Sequence, residues 1–277
     1  VMASQLILIG GSLVAGAVAG AYKAYYEWIR SDHGGQELKE KFGVAVIGLE
    51  MVRNQLNPAN VIGTGAYSTV YQCVIPELGN NCKFALKRKN TASFSSADDN
   101  SVSTFHQFYQ ELEVLALCRH PHIVRIVAVA VDREELTLIH PCIANGDLEE
   151  WVTDRPHSLS PQDRASALMQ ILDAVSYLHS QLTDKPCILH RDIKPSNILL
   201  ETAPDPGRRR KLMARLTDFG TACVRGQGSD GDRLTGTRGY VDPTVVLEPL
   251  DERSDAYSLG VVALRLVTGR PALDAER

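Results

Sequence analysis

The sequence predicts an α+β chain in two lobes: a small sheet-rich lobe with one helix, over about residues 57–140, then a larger, mostly helical lobe over about 141–277. Three observations lead there. Residues 57–89 read as short strands set around glycines. Beyond residue 141 the apolar residues recur mainly at helical spacing, with a strong helix start at Ser160. The chain has 277 residues, 44% of them hydrophobic, enough to build two lobes with a cleft between them.

Val1 to Tyr22 carries no charge, and Leu6 to Ala21 is almost wholly apolar apart from Ser12. That length approaches the ~20 residues that span a bilayer. Gly16 and Gly20 make a GxxxG face, and Tyr22, Tyr25, Tyr26 and Trp28 gather where an aromatic belt sits. Lys23 and Arg30 follow the run, so the downstream side is expected to be cytoplasmic. A signal-peptide core and a buried helix are the competing readings; no basic stretch precedes the run, which weakens the first. Residues 1–22 are therefore a candidate transmembrane helix and 23–56 a polar juxtamembrane linker. A cytoplasmic chain without an anchor is the alternative.

Asn60 to Ile75 alternates around glycines as strand-turn-strand, and Cys82 to Lys89 is a further strand. Asn90 to Ser103 is rich in Ser and Asp and reads as a mobile loop. Phe105 to Cys118 has helical period. Ser160-Pro161-Gln162-Asp163 combines a Ser cap, Pro in the first turn and an acid three residues after the cap. Leu168, Leu172, Val175 and Leu178 then line one helical face. Glu201 to Ala214 interrupts two short strands. The last helix runs from about Asp255 to Val267 and stops at Thr268-Gly269.

Composition excludes several functions. Lys+Arg 29 against Asp+Glu 33 gives a net charge of -4, which argues against a nucleic-acid binder held by bulk charge. The six cysteines form no CxxC pair, so a zinc site or a disulfide framework is not expected, and a reducing compartment fits. The eight histidines show no HExxH spacing.

The chemistry sits in five short stretches. "IGTGAYSTV", Ile62 to Val70, places Gly63 and Gly65 between strands, where backbone N–H groups can meet a phosphate. A tight hairpin uses glycine too, so this motif alone leaves both readings open. "FALK" ends an apolar strand on Lys87, which could equally be a solvated edge charge. In "FYQELEVL", Phe108, Leu112 and Leu115 share a helical face. Glu111 lies roughly 40° from Leu115, and Glu113 roughly 200° from Glu111. Glu111 is thus expected to point inward, where it needs a partner such as Lys87, and Glu113 to point to water. "LHRDIKPSNILL", Leu189 to Leu200, crowds Arg191, Asp192, Lys194 and Asn197 beside Ile198, Leu199 and Leu200. A polar loop pinned by buried anchors is how active-site loops are built. "LTDFG" adds Asp218, which with Asn197 offers oxygen ligands for a hard divalent cation.

The order glycine loop, strand lysine, inward glutamate, HRD…N loop, DFG resembles the protein-kinase signature set. The resemblance to eukaryotic protein kinases covers about Asn57 to Arg277. "YLHSQLTDKPCILHRDIKPSNILL", "GTRGYVDP", "NPANVIGTGAYSTVY" and "DAYSLGVVALRLVTGRPA" narrow it to plant receptor-like (Pelle-type) serine/threonine kinases and their animal relatives.

The resemblance implies ATP and Mg²⁺ as cofactors and a protein serine or threonine as substrate, in membrane-anchored signalling. It implies Asp192 as the base that accepts the hydroxyl proton, Lys194 beside the transferring phosphoryl group, and Asn197 and Asp218 on Mg²⁺. Lys87, held by Glu111, would meet the nucleotide phosphates; Ile62, Gly63, Gly65, Val70, Ala85 and Leu199 would surround ATP. Phe219 and His190 would belong to an apolar spine. Arg191 would pair an activation-segment phosphate on Ser229, Thr235 or Thr237. Thr235 is preferred, since Thr237 is expected beside Asp192 and Lys194.

The sequence also departs from the pattern. Ser68 replaces the third loop glycine, "LIHPCI" replaces a Tyr-Glu-Tyr-like hinge at His140, Pro141 and Cys142, and Thr244 replaces a glutamate after Asp242-Pro243. The loop between Asn197 and Asp218 is long and basic at Arg208 to Lys211. The family's helical lobe continues past the helix ending near Thr268, so this lobe is expected to be C-terminally truncated. Leu259, Val262 or Leu266 would then be left exposed. A pseudokinase-like nucleotide- or partner-binding module without turnover is the alternative function.

Overall fold

The computed structural model describes residues 27, 29, 31–65, 68–79, 82–89, 110–131, 136–155, 158–203, 211–226, 235–246 and 251–273. The candidate transmembrane segment 1–22, the loop Asn90 to Ser103, Arg208 to Arg210 and Ser229 lie outside them. Among the described residues no helix is long and apolar enough to cross a membrane. The described residues group into two compact units, one within 1–117 and 125–142, the other within 118–124 and 143–277.

The first unit opens with helix α1, Asp32–Phe42. Ser31 caps it by accepting from the Gly34 N–H, and Gly43 ends it at φ 68, a left-handed conformation that suits glycine. Strand β1, Ala45–Gly48, follows. Three short 3₁₀ turns then lead to β2, Val61–Thr64. The segment expected as a polar juxtamembrane linker, 23–56, thus carries a helix and a strand from residue 31 onward. Val44, Leu49 and Val52 are buried, and they anchor this segment to the sheet. They lie in the largely apolar run 44–52, and burying each removes apolar area from water at ~25 cal/mol per Å².

Strands β3 (Ser68–Val74), β4 (Lys83–Lys89), β5 (Ala128–Val131) and β6 (Leu136–Pro141) complete a six-stranded sheet in the order β1-β5-β6-β4-β3-β2. All pairs are antiparallel except β1 with β5, which is parallel. Cross-strand partners share a face. Leu86, Ile139 and Ala128 are in register on one face, where Cys73, Phe84, Leu49 and Val52 join them in a buried cluster. Val70, Lys87, Leu138 and Val129 are in register on the other, as are Gln72, Ala85 and His140. Helix α2, 110–117, puts Glu111 within reach of Lys87.

The second unit begins with 118–124. That segment belongs here because Val124 N–H donates to Leu216 O, Leu216 N–H to His122 O, and Arg119 N–H to the Tyr177 hydroxyl. Helix α3, Leu148–Thr153, is capped by Asp147. Helix α4, Pro161–His179, starts on a capping box in which Ser160 and Asp163 satisfy each other's backbone N–H groups. Strand β7 (Ile188–Leu189) pairs with β10 (Cys223–Val224), and β8 (Ile198–Ala203) with β9 (Lys211–Leu216), all antiparallel. Helix α5, Glu252–Thr268, ends on Gly269 at φ 71.

Three expectations change in this unit. The buried stripe of α4 is Ala167, Ile171, Ala174, Val175 and Leu178, whereas Leu172 is exposed. Ala167 and Ala174 are fully buried, so the phase read from the bulky leucines alone is off. Helix α5 starts three residues earlier, because the Asp251 side chain accepts from the Arg253 N–H. Leu259, Val262 and Leu266 form its buried stripe, while Leu264 and Val267 face outward. All six cysteines are free thiols, and burial pushes Cys118 up to about 12, as burial and the neighbouring Cys142 do for Cys73.

Candidate active site

The candidate residues fall into two sets, one in each unit. In the first unit the hairpin β2–β3 holds Gly63 opposite Val70 after a register shift, and Gly65 N–H donates to Ser68 O at 2.8 Å. Neither glycine has a left-handed φ, and a Cβ at either would meet only ordinary contacts, at 3.9 Å from Val70 and 3.6 Å from Ser68 O. The hairpin backbone described here therefore does not require glycine at either position.

Lys87 follows on β4, on the same face as Val70 and Ala85. Its Nζ donates to Glu111 Oε2 at 2.7 Å, with side-chain exposures of 15% and 3%. This pair forms as the helical phase predicted, since a carboxylate so buried needs a cation. Glu113 is the correction: it is half-buried rather than in water, and burial lifts its carboxyl to about 7. Ile62 is exposed; Val70 and Ala85 are half-buried. His140 is buried opposite Ala85, with Nδ1 3.1 Å from Arg125 O, which as an acceptor fixes the proton on Nδ1.

In the second unit a chain of short hydrogen bonds surrounds Asp192. Its Oδ1 accepts from the Thr237 hydroxyl at 2.7 Å, and its Oδ2 accepts from Lys194 Nζ at 2.7 Å and from Asn197 Nδ2 at 3.0 Å. Lys194 also donates to Thr237 Oγ1 at 2.7 Å. Ile198 and Leu200 are fully buried and pin this loop, whereas Leu199 is half-buried. Arg191 and Asp218 both have positive φ, 71 and 63, the kind of strain that functional sites retain. Thr235 is half-buried two residues before Thr237.

Asp255 braces the loop from α5. It accepts from the backbone N–H groups of His190 and Arg191, both at 2.8 Å, and from His179 Nε2 at 2.9 Å. Burial would raise its carboxyl, but the hydrogen bonds from His179 and from the His190 and Arg191 amides outweigh it and hold it below its ordinary value. His190 is fully buried against Phe219, ring centroids 4.7 Å apart. Its Nδ1 accepts from Asp192 N–H, so Nε2 carries the proton toward Thr217 O. Burial lowers its pKa further, and it is a neutral structural residue rather than a base.

Asn197 and Asp218 offer the oxygens suited to a cation. Asn197 commits its Nδ2 to Asp192, which leaves its amide oxygen as the acceptor on the other side. Thr217 N–H donates to Asn197 O at 2.9 Å and so ties the residue before Asp218 to Asn197. An amide oxygen and a carboxylate are the hard ligands Mg²⁺ takes from protein, the rest coming from phosphate and water. The residues fit that ion. Sequence reasoning missed His179, Lys185 and Gly236, whose partners are described below; only the positive φ that Gly236 adopts has a signal, glycine itself.

The chain matches the Protein kinase domain family over residues 56–277. It is 33% identical over 235 residues to a probable receptor-like protein kinase from Arabidopsis thaliana, covering 83% of this chain and 44% of that protein. It is 35% identical over 227 residues to salt tolerance receptor-like cytoplasmic kinase 1 of Oryza sativa subsp. japonica, covering 78% and 57%. It is 31% identical over 234 residues to an EPD1-interacting receptor-like cytoplasmic serine/threonine-protein kinase of Nicotiana benthamiana, covering 83% and 47%. The chain thus spans about half the length of these relatives. With the HRD…N and DFG residues placed as above, the chain belongs to the protein kinase family.

Proposed function

We propose that this chain transfers the γ-phosphoryl group of ATP to serine or threonine hydroxyls of a protein, with Asp192 as base. The observation that supports it most is the cluster on Asp192: a hydroxyl, an ammonium and an amide hold both carboxylate oxygens at 2.7–3.0 Å. Asp192 is thereby fixed in orientation to accept a hydroxyl proton. Lys194 is placed to offset negative charge gathering on the transferring group. Lys87, steadied by Glu111, would hold the nucleotide phosphates, with the backbone at Gly63 and Gly65. Ile62, Val70, Ala85 and Leu199 would provide apolar contact to the base. Asn197 and Asp218 would hold Mg²⁺, which supplies charge neutralisation on the phosphates.

Turnover is favoured over a binding-only module because every chemically required residue is present. Pro141 removes a backbone N–H but leaves its carbonyl, and Cys142 N–H still donates to Lys83 O at 3.0 Å. Thr235 is proposed as a phosphate acceptor near Arg191. Membrane anchoring through residues 1–22, with the kinase in the cytoplasm, rests on the sequence alone. Comparing liposome flotation of the full chain with that of residues 57–277 tests it.

The decisive experiment is Asp192→Asn in the full chain with Mg²⁺ and radiolabelled ATP. Phosphate transfer should fall by about 10²–10⁴-fold, with nucleotide affinity retained, and phosphate at Thr235 should disappear from the mass spectrum. Equal transfer by variant and parent would remove Asp192 from the mechanism.

A further inference from the structure

The connection from α4 to β7 contains a buried cation that the reaction scheme does not use. Lys185 is 2% exposed. Its Nζ donates to the carbonyls of Leu178 at 2.9 Å, Ser180 at 2.7 Å and Pro186 at 2.9 Å, and lies 5.0 Å over the Tyr177 ring. The three donors of the ammonium are all used. Burying an ammonium is costly, and the carbonyls at the C-terminal end of α4, with the negative end of the helix dipole, offset that cost. A helix cap alone explains this much.

Two placements go further. Leu178 and Ser180 flank His179, so the ammonium fixes the backbone on both sides of the residue whose Nε2 reaches Asp255. The third carbonyl, Pro186, leads into β7, which delivers the His190 and Arg191 amides to the same carboxylate. Every donor described on Asp255 thus comes from one of the two segments that Lys185 ties together. Asp255 in turn holds Arg191 at its positive φ, one residue before Asp192.

We propose that Lys185 is a positioning residue for phosphoryl transfer: it locks the end of α4 to the start of β7, so that Asp255 holds the catalytic loop and the Asp192 carboxylate stays aimed. The proposal rests on the kinase reading above. A cap alone would affect melting and leave the loop's geometry, and hence kcat, as it was.

The test uses the full chain, Mg²⁺·ATP and myelin basic protein as acceptor, well below the melting temperature of every variant. Lys185→Met keeps the apolar stem and removes the charge. It should lower kcat at least about 10-fold while KM for ATP moves less than about twofold. His179→Leu should act similarly, and His179→Gln, which keeps a donor, should recover most of the loss. The Lys185→Met/His179→Leu double variant should be no slower than the slower single variant, since both act through Asp255. Unchanged kcat in Lys185→Met or in His179→Leu, or losses that multiply in the double variant, would overturn the proposal. A second readout needs no turnover. Amide hydrogen exchange at His190 and Arg191 should quicken at least about 10-fold in Lys185→Met relative to amides of β9, and unchanged protection would equally overturn it. Should Lys185→Met not fold, the His179 pair decides by the same two readouts. Activity that survives Asp192→Asn would instead sink the kinase reading and leave the exchange result to judge Lys185.

Discussion

Removing the Thr237 hydroxyl isolates one support of the proposed base. Thr237→Ala deletes two hydrogen bonds, the one given to Asp192 Oδ1 and the one taken from Lys194, both 2.7 Å long. The turn that presents this residue does not depend on the side chain, because Tyr240 and Val241 donate their N–H groups to the Thr237 carbonyl. Folding should therefore be largely spared. A hydrogen bond to a charged group contributes about 1.5–3 kcal/mol. Lys194 keeps its direct contact to Asp192, and water can enter a half-buried position, so the loss should amount to one such bond rather than two. That predicts kcat lower by about 10- to 150-fold, at ~1.4 kcal/mol per factor of ten. Thr237→Ser retains the hydroxyl and should stay within a few-fold of the parent. Steady-state transfer at saturating Mg²⁺·ATP measures both. An alanine variant within twofold of the parent, or a serine variant as slow as alanine, would refute the reasoning.

Gly236→Ala should cost more, because Gly236 has φ 126 and a Cβ there would lie 2.7 Å from Arg191 O, a backbone atom of the catalytic loop that cannot swing away; thermal melting and transfer assays should both show a loss, and parent-like values in both would contradict it. Glu113 gives a pH dependence. Its folded carboxyl, near 7, lies above the 4.5 of the unperturbed group, so the folded state holds a proton that the unfolded state releases between those values. Stability should decline as pH rises from about 4.5 through about 7, with a ceiling of about 3 kcal/mol, and Glu113→Gln should remove the decline. Denaturant unfolding at pH 5 and pH 8 checks this, and a parent no less stable at pH 8 than at pH 5 relative to the variant would count against it.

The parts of the structure that the sequence made legible are those whose physics is local. The Ser160–Asp163 capping box needs residues three apart, and it appears as read. The helix stop at Gly269 needs one left-handed residue. Lys87 and Glu111 are 24 residues apart, yet the helical phase of α2 was enough to turn the acid inward toward a cation. The misses share a different cause. The leucine spacing puts Leu172 on the apolar face of α4, yet Ala167 and Ala174 are buried and Leu172 is exposed, because hydrophobicity ranks bulk and small side chains pass unnoticed. The burial of Leu49 and Val52 is not legible in the sequence because their cluster forms with strands that come later in the chain. The helical phase of Glu113 relative to Glu111 turns it away from the apolar stripe and so toward water; its burial depends on neighbours that the helix does not supply.

The catalytic loop shows how the two kinds of information combine. Arg191, Asp192, Lys194 and Asn197 are conspicuous because so much charge beside Ile198 and Leu200 demands an explanation. What holds them is inconspicuous: Asp255 lies 64 residues beyond Arg191, and Thr237 lies 45 beyond Asp192. A carboxylate that accepts two backbone N–H groups and an imidazole can keep Arg191 in a conformation that an isolated L-residue disfavours by roughly 1–2 kcal/mol. Each such bond to a charged acceptor contributes about as much or more. The brace therefore outweighs the strain, and the loop can stay strained at rest instead of becoming so only when a nucleotide arrives. A site built this way depends on residues remote in sequence and chemically silent in the reaction: spacing finds Asp192 readily, the family resemblance puts Thr237 beside it, and the structure adds the bonds that Asp255 and His179 make.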